Sequence, residues 1–120
     1  MALLVYCATP SRLSNKTKEI SNYIAEQGHG PLHPFQAMPY KLFEGGKVGR
    51  LKSMEFCMRL VGICDQFRLF GVSKGTLQEI VEAQRLNKEI KLELSWDPEW
   101  KEFYAKLGKR YGNPLDKYIK

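Results

Sequence analysis

The sequence lacks the marks of membrane, metal and disulfide proteins. No apolar run approaches the roughly 20 residues that cross a bilayer, and the opening stretch Met1 to Cys7 has neither a basic region nor a small-residue cleavage site. That stretch is read as a buried strand of a cytoplasmic protein. The three cysteines, Cys7, Cys57 and Cys64, are an odd number at spacings that fit no disulfide framework or zinc pattern. All three sit in apolar segments, so packed thiols are expected. His29 and His33 flank Gly30-Pro31-Leu32 with no carboxylate or cysteine spaced to complete a metal site, and neither a metal nor any other cofactor is expected. No internal repeat, low-complexity stretch or linker interrupts the chain. Acidic residues are the scarcer charge, 13 against 19 basic, and the net charge of +6 favours anionic partners: a nucleotide phosphate, RNA or DNA. Much of the excess falls late, at Lys101, Lys106, Lys109, Arg110, Lys117 and Lys120, where a solvated helix face and a nucleic-acid patch are both open readings.

What is present suits one core. A chain of 120 residues divided in two would bury too little apolar surface in either half to offset chain entropy, and 43% hydrophobic with 27% charged residues is ordinary globular usage. Residues 1–120 are therefore read as one domain, with 97–120 a C-terminal helical extension.

The continuous apolar run from Leu3 to Ala8, ended by Thr9-Pro10, predicts a strand buried on both faces. Ile20, Tyr23 and Ile24 at helical spacing predict a helix over 14–27, stopped by Gly28. Residues 32–35 read as a short second strand, made irregular by Pro31, Pro34 and Pro39. A long connection over 36–49 follows, in which Gly45, Gly46 and Gly49 suggest mobility. Leu51, Met54, Cys57, Met58, Val61 and Cys64 recur at three- and four-residue intervals, predicting a helix over 52–64 whose stripe is core. A strand over 66–70, a helix over 74–87 and a strand over 90–96 complete the alternation. Asp97-Pro98-Glu99 then opens a last helix as cap, first-turn proline and dipole-matching acid, carrying Trp100, Phe103, Tyr104 and Leu107 inward. Such alternation implies an α/β fold: a small flavodoxin-like or Rossmann-like parallel sheet of about four strands with helices on both faces and an extra C-terminal helix.

Ligands of open parallel sheets bind beyond the carboxyl ends of the strands. Those positions hold Thr9, Pro10, Ser11 and Arg12 after the first strand, and Gly71 to Thr76 and then Glu79 after the third. Ser73, Lys74, Gly75 and Thr76 run into a helix start, where backbone N–H groups, hydroxyls and a cation suit a phosphate, with Thr9 and Arg12 on the facing loop. Glu79 has two readings, a reactive carboxylate or the fourth residue of a capping box Thr76-x-x-Glu79. Tyr6 by itself is a strand aromatic, and Asp65 a helix-end residue.

Taken together, Val5-Tyr-Cys-Ala-Thr-Pro10, Ile63-Cys-Asp-Gln-Phe-Arg-Leu-Phe-Gly71 and Ser73-Lys-Gly-Thr-Leu-Gln-Glu-Ile-Val-Glu-Ala83 resemble, in order, three segments of the nucleoside 2-deoxyribosyltransferase-like superfamily, which includes nucleoside 5′-monophosphate N-glycosidases. The resemblance covers residues 3 to 94 and departs from the family's pattern at Thr9, Lys74 and Ile80-Val81-Glu82. It implies that Glu79 is a nucleophile, that Tyr6 positions it and that Asp65 helps handle the base. It also implies a small-molecule nucleoside or nucleotide as partner, and a homo-oligomer, for which the helix over 52–64 is the expected interface. A carboxylate suits such chemistry because it traps the oxocarbenium-like glycosyl group as a covalent intermediate. Two other readings remain at this level: a non-catalytic nucleotide-sensing domain, and a basic nucleic-acid-associated accessory protein.

Overall fold

A computed structural model describes residues 1–38, 40–43 and 46–119. Pro39, Gly45 and Lys120, used above, lie outside the described residues.

Four parallel strands, β1 (Leu4–Ala8), β2 (Gly30–Leu32), β3 (Gln66–Leu69) and β4 (Glu89–Leu92), form one sheet in the order β2-β1-β3-β4. Helices α1 (Thr17–Glu26), α2 (Pro34–Ala37), α3 (Tyr40–Phe43), α4 (Arg50–Ile63), α5 (Lys74–Arg85) and α6 (Trp100–Leu107) supply the crossovers and the C-terminal extension. The expected α/β architecture with a parallel four-stranded sheet and an added C-terminal helix is the one observed.

Period-two alternation divides β1 between two cores. Val5 and Cys7 join Ile20 and Ile24 of α1 and Phe70 on one face. Tyr6 and Ala8 join Phe67, Leu69, Val61, Leu77 and Ile80 on the other, against α4 and α5. All of these are fully buried, so truncating Ile24 or Leu77 to alanine removes about 2–5 kcal/mol. Cys7, Cys57 and Cys64 are buried free thiols, and burial pushes that of Cys7 up to about 12. Among the described residues no helix is long and apolar enough to cross a membrane.

Several boundaries differ from the sequence reading, each for a local reason. The segment before α1 is a 3-10 turn, Ser11–Lys16, kinked at Leu13. β2 stops at Leu32 because His33 and Pro34 start α2: proline cannot donate to a strand ladder but suits a first helical position, and His33 Nδ1 caps it by accepting from Phe35 N–H at 3.2 Å. β4 ends at Leu92, and a 3-10 turn over Leu94–Trp96 carries Trp96 back against Phe70 and Tyr23. After α6 the extension continues as a 3-10 turn, Gly108–Tyr111, and Leu115 beyond it sits in the core with no exposed surface.

Asp97 is not the cap of α6, whose N-cap is Glu99 without a side-chain bond. Its carboxylate turns inward and is fully buried. There Oδ2 accepts from Val72 N–H at 3.0 Å and from the Arg12 guanidinium, and Oδ1 accepts from Glu99 N–H at 3.1 Å. One carboxylate thus ties the loops after β1 and β3 to the start of the C-terminal extension. The approach is close enough that a Cβ on Gly71 would meet Asp97 Oδ2 at 2.8 Å and Pro10 Cγ at 2.7 Å.

Candidate active site

Beyond the carboxyl ends of β1 and β3 lies a cleft of about 440 Å3 out to its mouth, of which only about 30 Å3 is open to the centre of a water molecule, room for one or two waters. Thr9 and Ser11 line it from the loop after β1. Ser73, Gly75, Thr76 and Glu79 line it from the start of α5.

Glu79 lines the cleft and is held by a buried residue of another element. Tyr6 projects from the centre of β1, its ring stacked on Phe67 with centroids 5.6 Å apart, and its hydroxyl donates to Glu79 Oε2 at 2.7 Å. Tyr6 is fully buried and Glu79 is 5% exposed. Burial first, and the adjacent Glu79 second, hold the Tyr6 phenol well above its ordinary value. It therefore stays protonated, a permanent donor to the carboxylate. Cys57 stands on the other side of that hydroxyl and also lines the cleft.

The start of α5 decides between the two sequence readings of Glu79. Ser73 is the N-cap, and its Oγ accepts from Thr76 N–H at 3.2 Å while Thr76 Oγ1 accepts from Ser73 N–H at 2.8 Å. The capping box is Ser73-x-x-Thr76, three residues earlier than Thr76-x-x-Glu79. Cap geometry uses only the first turn, so Glu79, one turn on, has no capping duty. The same box commits the Thr76 hydroxyl, which donates to Gly71 O at 2.8 Å rather than facing a phosphate.

Thr9 faces the cleft, its hydroxyl donating to Cys7 O at 3.1 Å and lying 3.1 Å from His33 Nε2. His33 Nδ1 is already an acceptor from Phe35 N–H, which places the proton on Nε2 and makes His33 the donor to Thr9. Burial lowers the His33 pKa to about 4, so this chain of bonds is neutral at pH 7.

Three expected site residues are placed elsewhere. Asp65 precedes β3 at the opposite end of the sheet, where Oδ2 accepts from Leu4 N–H at 2.8 Å. Four residues at ~3.3 Å each separate it from the carboxyl end of β3, about 13 Å. It closes the ladder between β1 and β3 and cannot reach a base bound above Glu79. Arg12 is turned to the C-terminal extension: Nη1 donates to Val72 O at 2.6 Å, Nη2 pairs with Asp97, and the guanidinium lies 3.7 Å from the Phe103 ring centroid. Lys74 is exposed at the first position of α5 and lies outside the cleft lining.

The cation at the cleft is one the sequence reading missed. Arg50 opens α4 and lines the cleft, with Nη2 2.9 Å from where a Cβ on Gly75 would stand; only glycine leaves room for it against the first turn of α5. Ser53, Met54 and Cys57 follow Arg50 at helical spacing and also face the cleft. The stripe read as core is therefore divided: Leu51 is exposed to solvent, Met54 and Cys57 line the cleft, and Val61 and Cys64 reach the core. A polar Arg50 and Ser53 in register with an otherwise apolar stripe was the available signal. Among the described residues no group of three or more His, Cys, Asp or Glu side chains is placed to hold a metal.

Residues 5–93 match a family described as a domain of unknown function (DUF7768). The chain belongs to that family. The match takes in Tyr6, Arg50 and Glu79 and ends before α6, so the whole cleft falls within the family's span and the C-terminal extension outside it. A search of curated proteins found no match.

Proposed function

We propose that the cleft breaks the N-glycosidic bond of a nucleoside or nucleoside 5′-monophosphate, hydrolysing it or transferring the sugar to another base. The observation that carries this reading is the buried 2.7 Å hydrogen bond from Tyr6 to Glu79 at the cleft, on a glutamate that the helix start does not need. A carboxylate oriented by a neutral phenol at a cleft suits attack on an electron-poor anomeric carbon. In that reaction Glu79 forms an ester with the anomeric carbon as the carbon–nitrogen bond breaks, and the base leaves with a proton from water. Water, or a second base, then attacks the same carbon and restores the carboxylate. Arg50 and the first-turn amides of α5 stand where a 5′-phosphate would lie.

The sequence resemblance to nucleoside 2-deoxyribosyltransferase-like enzymes supports the same chemistry. Three buried free thiols suit a reducing, cytoplasmic compartment. Exposed Phe56 and Ile63, two turns apart on one face of α4, suit a homodimer contact. A second reading is a nucleotide-sensing site without turnover, which would use the same cleft and the same helix start.

Turnover separates the two. Wild-type protein incubated with ribo- and deoxyribonucleosides and their 5′-monophosphates should release free base by chromatography. Glu79→Gln should remain folded and lose base release by ~100-fold or more, since an amide does not trap the glycosyl group comparably. A folded Glu79→Gln protein that releases base at the wild-type rate would overturn the assignment. Wild-type protein that binds a nucleotide and releases no base supports the sensing reading.

A further inference from the structure

Val72 stands immediately before Ser73, the N-cap of α5, and both of its backbone groups are held by the same ion pair. Its N–H donates to Asp97 Oδ2 at 3.0 Å, and its carbonyl accepts from Arg12 Nη1 at 2.6 Å. The other terminal nitrogen of the guanidinium, Nη2, pairs with that same Asp97 oxygen, and Val72 and Asp97 are fully buried. Arg12 comes from the 3-10 turn after β1, Val72 from the loop after β3 and Asp97 from the segment after β4, so the pair gathers the ends of adjacent strands. Two of these segments also line the cleft, through Ser11 beside Arg12 and Ser73 beside Val72.

An ion pair taken out of water is a weak source of net stability, because desolvation offsets most of the attraction. Its directional bonds supply geometry instead. A planar guanidinium that bonds a carbonyl through one nitrogen and a carboxylate through the other admits little change in the placement of either loop. The local bonds do not do this. The Ser73–Thr76 capping box ties its loop only to its own helix, and the Thr9 hydroxyl bonds within the β1 side, to Cys7 O and His33. Packing agrees, since Gly71 has no room for a Cβ between Pro10 and Asp97. The C-terminal extension adds Phe103, whose ring covers the guanidinium at 3.7 Å, and the Glu99 N–H, which holds the other Asp97 oxygen at 3.1 Å.

We propose that Arg12 and Asp97 are positioning residues of the cleft: together they set how the loops after β1 and β3 stand relative to each other, and so the shape of the space that Glu79 faces. Neither lines the cleft itself. Asp97 lies beyond the matched family span of 5–93, so a site lined wholly from within that span is completed in this chain by its C-terminal extension. The inference goes beyond the glycosidic reading and holds for any ligand of the cleft.

Two buried cysteines give a test that needs no ligand. Cys57 lines the cleft, whereas Cys64 belongs to the main core. Iodoacetamide labelling of the native full chain, mapped by peptide mass spectrometry, therefore reads the cleft at Cys57 and general opening of the fold at Cys64. Truncating one partner to an apolar residue would strand the other charge, so conservative variants serve. Asp97→Asn keeps an acceptor for the Val72 N–H and loses the ion pair; Arg12→Lys keeps the charge and loses the planar fork. In each folded variant the ratio of Cys57 to Cys64 labelling rates should rise about tenfold or more over wild type, as local opening at the cleft requires. Ile24→Ala, in the core on the other face of the sheet, should speed labelling without raising that ratio. A ratio unchanged in both variants, or an equal rise in Ile24→Ala, would overturn the inference. Loss of the fold in both variants, seen by circular dichroism, would overturn it too, by making the pair a general stability element. Because no nucleotide is present, the result stands apart from that of the base-release assay.

Discussion

Tyr6 and Glu79, 73 residues apart in the chain, meet in a 2.7 Å hydrogen bond that no solvent reaches. The bond joins the central strand to the second turn of α5 and fixes the carboxylate in one orientation. Tyr6→Phe keeps the ring and its stacking on Phe67 but leaves Glu79 short of one donor. Base release should fall about 10–100-fold through kcat, with KM little changed, and stability by about 1–3 kcal/mol. A purely structural bond would move the melting temperature and leave kcat as it was.

The pH dependence of stability should carry the signature of His33. Its folded pKa of about 4 lies below the ordinary 6.5, so neither state is protonated above pH 6.5 and His33 imposes no penalty there. Between about pH 6.5 and 4 the unfolded chain takes up a proton that the folded chain refuses, and stability falls as pH falls, by about 3 kcal/mol over the interval. His33→Gln should flatten that part of a denaturation-versus-pH curve. An unchanged slope would place the titration on another group.

Phosphate preference should follow Arg50. If the monophosphate is the better substrate, Arg50→Gln should cut the ratio of specificity constants for a 5′-monophosphate and its nucleoside by about tenfold or more, given ~1.5–3 kcal/mol for a charge-assisted hydrogen bond and ~1.4 kcal/mol per tenfold. Arg12→Ala should act on stability instead, by about 1–3 kcal/mol, because it leaves buried Asp97 short of a partner. A ratio that responds to Arg12 and ignores Arg50 would return the phosphate to the other loop.

The exposed apolar face of α4 should be covered by a second copy. Phe56 is 38% exposed and Ile63 63%, two turns apart on one side of a helix whose Cys57 and Val61 are packed. Light scattering at micromolar concentration should give about twice the chain mass of 13.9 kDa. Phe56→Lys/Ile63→Lys should then give the monomer. A wild-type monomer would remove this contact.

The sequence by itself determined the sheet. An unbroken apolar run at β1, helical spacing in α1, α4 and α5, and the alternation of strands with helices along the chain point to a parallel α/β fold, because periodicity is a local property of the chain. The three-residue β2 and the 3-10 turns were less legible, since their boundaries depend on a single proline or on where Trp96 finds aromatic partners. The site was legible only in part. Glu79 and Tyr6 were paired by the family resemblance and not by any local pattern, and whether Glu79 capped its helix or faced a cleft depended on a one-turn difference in where α5 begins. Tertiary structure alone assigned the cations. Arg12 and Lys74 follow strands, where ligands of a parallel sheet bind, yet Arg12 is drawn to Asp97, 85 residues away, and Arg50 reaches the cleft from the start of α4. A charged side chain goes where a buried partner or solvent lowers its energy most, and that partner is chosen by the packing of distant segments, which no local pattern in a sequence encodes.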